Sequence, residues 1–234
     1  MNVLAFDTCF GALSVAVRRQ TAHGDWLLHE GYEERAAGHA ERLFPMIAAV
    51  MDGASLEFSS IDRIAVTLGP GTFTGVRVGI SAARALALAT GKPVAATTSL
   101  AVMAHRAEEL LGEALQGRRL VVAVDARRDA VYMQRFTAGA VAASEATLLT
   151  LQEAVGWIGH KQALIVGSAG PVLAGLMNEA GAAAEHRLPD LQPHARNLAA
   201  LAPALALVAP LTPLYLRPPD VRAQEAASLA RARP

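Results

Sequence analysis

Cysteine is nearly missing from this 234-residue sequence, in which Cys9 is the single example. One thiol cannot form an internal disulfide, and a zinc site built from cysteines is excluded as well. The first residues lack the cationic stretch of a signal peptide and reach an acidic side chain at Asp7. We therefore expect a protein of the reducing cytoplasm.

The sequence also lacks an excess of either charge and any long apolar run. Lysine and arginine number 21, as do aspartate and glutamate, so no broad basic face is expected and the chain alone should bind RNA poorly. The longest apolar run, at 198–211, is too short to span a bilayer and contains Pro203 and Pro210, which argues against a membrane role. The remaining composition, 53% hydrophobic and 18% charged, is typical of a globular protein.

Strand-like and helical segments alternate along the first half of the chain, which indicates an α/β fold. The predicted elements are a hairpin at 3–19, a strand at 25–32, a helix at 39–51, a strand at 63–68, a helix at 73–90, a strand at 93–98 and a helix at 100–111.

The pattern restarts near residue 120. Placing Val3 over Val121 brings Asp7 over Asp125 and aligns a strand, an aspartate, a turn and a second strand in both segments. A chance likeness of two buried strands is one explanation, and an internal duplication is the simpler one. The duplication predicts an N-terminal lobe at 1–112, which carries the two long helices, and a smaller C-terminal lobe at 113–234.

The segment LGPGTFTGVRVG at 68–79 begins like a phosphate-binding loop. Its glycines do not have the spacing of a dinucleotide fingerprint, and the lysine of a P-loop is missing. A strand-to-helix turn can still bind an anion, with Thr72 and Thr74 as hydroxyl ligands, or the two threonines can act as helix caps.

The helix that follows has a ridge of small residues, because Gly75, Gly79, Ala83 and Ala87 recur every four positions. Glycine inside a helix costs about 1 kcal/mol relative to alanine, and close approach of another backbone is the usual compensation. Apolar residues surround most of this helix, so its own sheet cannot cover it all. The second cover is the other lobe, the neighbouring helix or another chain.

The string at 68–79 closely resembles the signature of the bacterial TsaB (YeaZ) family of tRNA threonylcarbamoyladenosine biosynthesis proteins. The resemblance extends to the opening VLAFDT, to His39–Leu43, to VVAVDARRDAVY from Val121 and to PLYLRPPDVR at 213–222, and so spans most of the chain. It implies the actin-like ATPase (ASKHA) fold with two ribonuclease-H-like lobes, the second one reduced.

The resemblance further implies a non-catalytic scaffold subunit of the complex that adds threonylcarbamoyl to the adenosine beside the tRNA anticodon. Such a subunit pairs with itself or with the transferase TsaD through the two helices of the N-terminal lobe, and the ATPase TsaE joins the pair. It carries no cofactor of its own, because ATP or ADP and metal are expected on the partner subunits, and it meets tRNA only through the complex. The interface residues expected on this basis are His39, Leu43, Ile47, Gly75, Val76, Gly79, Ile80, Ala83 and Ala87.

The alternative is an independent actin-like ATPase or small-molecule kinase that uses Asp7 and Asp125, where such enzymes place carboxylates near magnesium and phosphate. Residual nucleotide contact would then involve Asp7, Thr8, Gly71, Thr72 and Asp125. Against this alternative, Phe10 puts bulk in the first phosphate turn, and Arg127 and Arg128 stand where a glycine-bearing second turn is expected. The other interpretation is that Asp7 and Asp125 have a structural role only, as residues at the ends of strands that cap the turns which follow.

Two further features are open to more than one interpretation. The transferase sister holds its metal through two histidines four residues apart, but here His39 is followed at that spacing by Leu43, so no metal site is expected. Tyr215 and Arg217 belong either to a docking tail or to a packed C-terminal strand, since the prolines around them favour extended backbone.

Overall fold

The computed structural model describes residues 1–21, 23–159 and 163–217, which form two α/β lobes. Both lobes begin with antiparallel strands and continue as helix, strand, helix, strand, helix. The N-terminal lobe contains β1 (Asn2–Asp7), β2 (Ala12–Gln20), β3 (Trp26–Glu34), α1 (His39–Gly53), β4 (Arg63–Thr67), α2 (Phe73–Thr90), β5 (Val94–Thr97) and α3 (Ser99–Leu111). The C-terminal lobe contains β6 (Arg119–Asp125), β7 (Ala130–Thr137), β8 (Val141–Ala142), β9 (Thr147–Thr150), α4 (Leu151–Ile158), β10 (Ala163–Val166), α5 (Gly170–Glu179), β11 (Ala184–Arg187) and α6 (Ala195–Leu201).

The two sheets have the same topology. The first has the order β3-β2-β1-β4-β5, with β1 antiparallel to β2 and parallel to β4. The second has the order β11-β10-β6-β7-β8, with β6 antiparallel to β7 and parallel to β10, and β9 also pairs with β7. Each helix of the second lobe is shorter than its counterpart in the first. The expected actin-like ATPase fold, with a reduced second lobe, is confirmed.

The central strand of the first sheet is buried on both faces. Leu4 and Phe6 point into the core formed with α1 and α2, whereas Val3 and Ala5 point into a separate core on the opposite face. Burial on both faces explains why the opening of the sequence is an unbroken apolar run rather than an alternating one.

The last helix of each lobe packs against the sheet of the other lobe. Leu100 and Met103 of α3 pack in one core with Val122 and Phe136 of the second sheet. Leu198 of α6 packs in return against the first sheet, in a core that is rich in alanine. The predicted boundary between 112 and 113 lies between the two sheets along the chain. Helix α3, just before it, contacts both lobes, because its Val102 belongs to the core on the first sheet.

The segment at 207–217, which we call the C-terminal strap, runs along the first lobe and contacts the second lobe at Arg217. The amide of Val208 donates to the Val94 carbonyl at 2.9 Å, and the amide of Leu214 donates to the Leu68 carbonyl at 2.7 Å. Arg217 then donates to the carbonyl of Arg127 at 3.1 Å. Of the two alternatives for Tyr215 and Arg217, the structure through residue 217 agrees with the packed extended segment. The remainder of the 213–222 stretch lies outside the described residues.

Searched over its described residues, the structure contains no helix with both the length and the apolar character that crossing a membrane requires.

His194, at the start of α6, lies where the two lobes meet. Its ring stacks on that of Tyr32 with centroids 4.9 Å apart, and its Nδ1 accepts from the amide of Arg196 at 3.3 Å. Burial, followed by the positive charges of Arg106 and Arg196, lowers the pKa of His194 to about 4. The native state therefore keeps this ring neutral at a pH where the unfolded chain gains a proton.

We expect the stability of the protein to fall as the pH drops from about 6.5 to about 4, in part because of this histidine. The variant His194→Asn keeps a side chain that can cap α6 but cannot take up the proton. Urea unfolding at about pH 7 and about pH 4.5 should show a larger loss of stability for the wild type than for the variant. Equal losses in the two proteins would contradict this role of His194.

Candidate functional site

The turn between β1 and β2 lies directly on the start of α2, and we call this the turn–helix contact (residues 8–9 with 71–79). The hydroxyl of Thr8 donates to the carbonyl of Gly75 at 2.6 Å. The carbonyl of Cys9 accepts from the amide of Thr72 at 2.8 Å, and the Thr72 hydroxyl accepts from the amide of Gly75 at 3.1 Å. Thr72 is thus the N-cap of α2, whereas Thr74 is an exposed residue of its first turn.

The glycines of α2 are explained by this contact within the chain. A methyl group at Gly75 would overlap the carbonyl oxygen of Thr8, and one at Gly79 would lie 2.7 Å from the Thr8 hydroxyl. A methyl group at Gly71 would lie 2.5 Å from the carbonyl oxygen of Cys9. Of the small ridge, Gly75 and Gly79 are therefore covered by the protein's own turn, and their lack of a side chain needs no second chain to explain it.

The residues expected at a partner interface point inward. Eight of the nine are buried in the N-terminal lobe and Ala87 is half-buried: His39, Leu43, Ile47, Gly75, Val76, Gly79, Ile80, Ala83 and Ala87. Spacing alone shows which residues share a helix face, but not which of two apolar faces meets the sheet. These side chains belong to the core, and a partner on α1 and α2 would contact mainly other positions, although Leu43 also lines the surface between the two helices.

The opposite faces of α1 and α2 form an open groove of about 600 Å³. Two phenylalanines on it are about half exposed, Phe44 at 47% and Phe73 at 49%, and Leu88 at the far end of α2 is 89% exposed. The groove is lined by Ala40, Leu43, Phe44, Phe73, Thr74, Arg77, Val78, Ser81, Ala82 and Ala85. The signal for it was present in the sequence, because apolar residues surround α2 and its own sheet can cover only one side.

Asp7 is fully buried at the end of β1. Its carboxylate accepts hydrogen bonds from the Thr67 hydroxyl and, at 3.1 Å, from the amide of Cys9. Burial raises the pKa of Asp7, and the hydrogen bonds from Thr67 and Cys9 act in the opposite direction. Thr8 is equally buried and its hydroxyl donates to the Gly75 carbonyl, so both side chains make their hydrogen bonds within the chain.

The matching position in the second lobe is different, because Asp125 is exposed and accepts from the amide of Arg127 at 2.7 Å. The turn beyond it holds three successive non-glycine residues in the left-handed region, Arg127, Arg128 and Asp129, with φ of 62°, 55° and 54°. Between the lobes, the ring of Phe10 lies 6.4 Å from that of Tyr132 and packs on both cores. The structure therefore does not bring Asp7 and Asp125 together as two carboxylates facing an open space.

His39 does not contribute to a metal centre in the described part of the chain. Its Nε2 atom is buried and has no hydrogen-bond partner there, and burial lowers the pKa of the ring. Leu43, one turn further on, belongs to the hydrophobic core. Over the described ranges, no three side chains of His, Cys, Asp or Glu are grouped so as to hold a metal ion.

Comparison with known proteins gives a consistent set of relatives. A family model described as TsaD, tRNA N6-adenosine threonylcarbamoyltransferase, matches residues 33–191. An uncharacterized protein of Mycobacterium tuberculosis is 35% identical over 227 residues, which cover 94% of each chain. The tRNA threonylcarbamoyladenosine biosynthesis protein TsaB of Haemophilus influenzae is 35% identical over 137 residues, or 58% of this chain and 53% of that one. The solved structure of YeaZ from Pseudomonas aeruginosa is 31% identical, has a TM-score of 0.75, and is matched over 92% of this chain and 99% of its own.

The turn–helix contact predicts a large cost for the smallest possible change at Gly75. We expect Gly75→Ala to destabilise the protein by about 2 kcal/mol or more, because the added methyl group meets backbone that cannot move away. Gly175→Ala in α5 is the matched control, since nothing lies within 4 Å of its added methyl group, and it should stabilise by up to about 1 kcal/mol. Urea unfolding of both variants measures the difference, and a neutral Gly75→Ala would show that the contact is not tight.

Asp7→Asn is expected to fold and to gain stability relative to the wild type as the pH rises. The raised pKa of Asp7 means that the native state holds a proton which the unfolded chain releases, so the wild type loses stability from about pH 4 upward, until the native carboxyl is also ionised. Asparagine can keep the hydrogen bonds to Thr67 and Cys9 without the charge.

Between about pH 4 and about pH 8, the urea midpoint of Asp7→Asn should therefore rise relative to that of the wild type. Asp125→Asn, at the exposed position, is the control and should show no such change. Calorimetry of the same proteins with Mg-ATP tests the nucleotide alternative. Binding by the wild type that Asp7→Asn abolishes would require Asp7 to reach a ligand, and would contradict the buried structural role.

Proposed function

The chain belongs to the TsaB (YeaZ) family, and from that premise we propose that it takes part in tRNA threonylcarbamoyladenosine biosynthesis as a non-catalytic scaffold subunit. Relatives named TsaB match 58% of the chain, and the matching family model is that of the transferase TsaD. In this proposal the transferase carries out the chemistry and the present chain holds it in a competent assembly.

Burial of the Asp7 carboxylate supports the non-catalytic part of the proposal. A magnesium–phosphate site needs carboxylate oxygens that can reach the ion. The oxygens of Asp7 instead accept hydrogen bonds from Thr67 and Cys9, and Phe10 in the same turn packs between the lobes, with its ring 6.4 Å from that of Tyr132. ATP or ADP and metal are accordingly assigned to the partner subunits, with no cofactor on this chain.

The groove between α1 and α2 carries the scaffold proposal. Exposed Phe44 and Phe73 form an apolar surface on two long helices that are otherwise packed firmly on their sheet. Apolar surface with a few polar groups in a concave site is typical of protein-binding surfaces. We assign the groove to a TsaD-type transferase subunit, with a second copy of this chain as the competing occupant.

The remaining parts of the assembly follow from the family. A TsaE-type ATPase joins the pair, and tRNA is contacted through the complex, in agreement with a chain whose 21 basic and 21 acidic residues balance. The proposed location is the cytoplasm, where tRNA modification takes place.

The variant Ala85→Arg tests the groove. Ala85 lines the groove and is exposed, so an arginine there obstructs docking without disturbing the core. We expect binding to the same organism's purified TsaD-type subunit to weaken by about a hundredfold, because a large charged side chain must be buried or the partner displaced. Isothermal titration calorimetry measures the affinity, and mass spectrometry of modified adenosine measures the activity of the reconstituted system.

Ala49→Arg provides the matched control. Like Ala85, Ala49 is an exposed alanine, but it belongs to α1 and lines a separate pocket beside β3 together with His29 and Met46. This variant should bind and support modification like the wild type. Unchanged binding by Ala85→Arg, with a normal circular dichroism spectrum, would refute docking through the groove.

A further inference from the structure

Arg77 is held in place at one end of the groove by two aromatic rings. Its guanidinium carbon lies 3.5 Å from the centroid of the Phe73 ring and 5.7 Å from that of Tyr215, and the two rings are stacked 5.7 Å apart. Its Nε atom donates to the Tyr215 hydroxyl at 2.7 Å. Phe73 and Arg77 come from α2, whereas Tyr215 comes from the C-terminal strap, so the strap helps to fix this side chain.

The two Nη groups of Arg77 are free to bind something else. Within the described residues, the Arg77 side chain makes no hydrogen bond or ion pair other than the hydrogen bond from its Nε to Tyr215. Arg77 is exposed and lines the groove. A guanidinium whose rotamer is already fixed presents two parallel N–H donors, which match the two oxygens of a carboxylate, and little further entropy is lost on binding.

The charge pattern of the groove distinguishes between its two candidate occupants. Arg77 is the one charged residue among the ten that line the groove, and the lining contains no aspartate or glutamate. Two copies of this chain that meet face to face across the groove would bring two Arg77 side chains into the same apolar interface. Like charges in such a setting are unfavourable, whereas a partner with a carboxylate gains a bidentate ion pair.

We infer that Arg77 is the specificity-determining residue of the groove, which receives an aspartate or glutamate that the partner presents among apolar side chains. This inference rests on the proposed docking of a TsaD-type subunit in the groove. Arg77 thereby favours the transferase over a second copy of this chain. Tyr215 is a positioning residue, because it acts by orienting Arg77.

Arg77→Met tests the inference with two readouts that should move in opposite directions. The variant keeps apolar bulk in the groove but loses the charge. We expect its affinity for the purified TsaD-type subunit to fall by about tenfold or more, and its self-association, measured by sedimentation equilibrium, to be unchanged or stronger. A merely structural role for Arg77 would weaken both associations together and would overturn the inference.

Three companion variants sharpen the result. Arg77→Lys keeps a positive charge but loses the two parallel N–H donors of the guanidinium. Its affinity for the transferase should therefore lie between those of the wild type and Arg77→Met. Tyr215→Phe removes the hydroxyl that holds Nε and should weaken that binding by about threefold, with no effect in an Arg77→Met background. Arg187→Met, which removes an arginine with 59% side-chain exposure on the second lobe, should change neither association.

The outcome of Ala85→Arg separates a failure of the inference from a failure of the docking proposal. If Ala85→Arg binds the transferase normally, the groove is not the docking surface and the proposed function fails. If Ala85→Arg blocks binding but Arg77→Met retains wild-type affinity, docking stands and the inference about Arg77 is wrong. Weaker self-association of Arg77→Met with unchanged transferase binding would mean that the carboxylate bound by Arg77 comes from a second copy of this chain. That result would also overturn the inference.

Discussion

The packing and orientation of α2 in the N-terminal lobe depend on the close approach of the Thr8 and Cys9 backbone to its first turns. Glycine is required at positions 71, 75 and 79 because carbonyl and hydroxyl oxygens of this turn occupy the places where side chains would begin. The same approach carries Thr8 below the surface and buries Asp7 behind it. It also sets the rotation of α2, so that the small residues face inward while Phe73, Arg77 and Leu88 remain outside.

A turn that lies this close to a helix uses backbone groups that could otherwise bind a phosphate group. In an ATPase the first turn and the helix N-terminus would surround an anion, and the free amide groups would bind it. Here the amide of Thr72 is used by Cys9 and that of Gly75 by the Thr72 hydroxyl. The glycine-rich string is therefore a packing motif, although it begins like a nucleotide-binding one.

Sequence reasoning predicted the elements well and one orientation poorly. The helix expected at 73–90 is α2 with the same bounds, the helix expected at 39–51 is two residues longer, and the restart near residue 120 coincides with β6. These features depend on local periodicity, which the sequence contains directly. The cover of the glycines depends on a turn more than 60 residues away, whose backbone makes the contact, and a backbone contact leaves no trace in side-chain spacing. For the same reason the interface was expected on the buried face of α1 and α2.

The second lobe influences the groove although its residues do not line it. It provides the sheet on which α3 packs, and its own last helix, α6, covers the back of the first sheet, so neither lobe has a complete core without the other. It also binds the end of the C-terminal strap, because the Arg127 carbonyl, in a turn of left-handed residues, accepts from Arg217. Tyr215 lies two residues before that hydrogen bond and contacts Phe73 and Arg77. The second lobe thus has a structural role, which is to keep α1, α2 and the strap in the arrangement that a partner would meet.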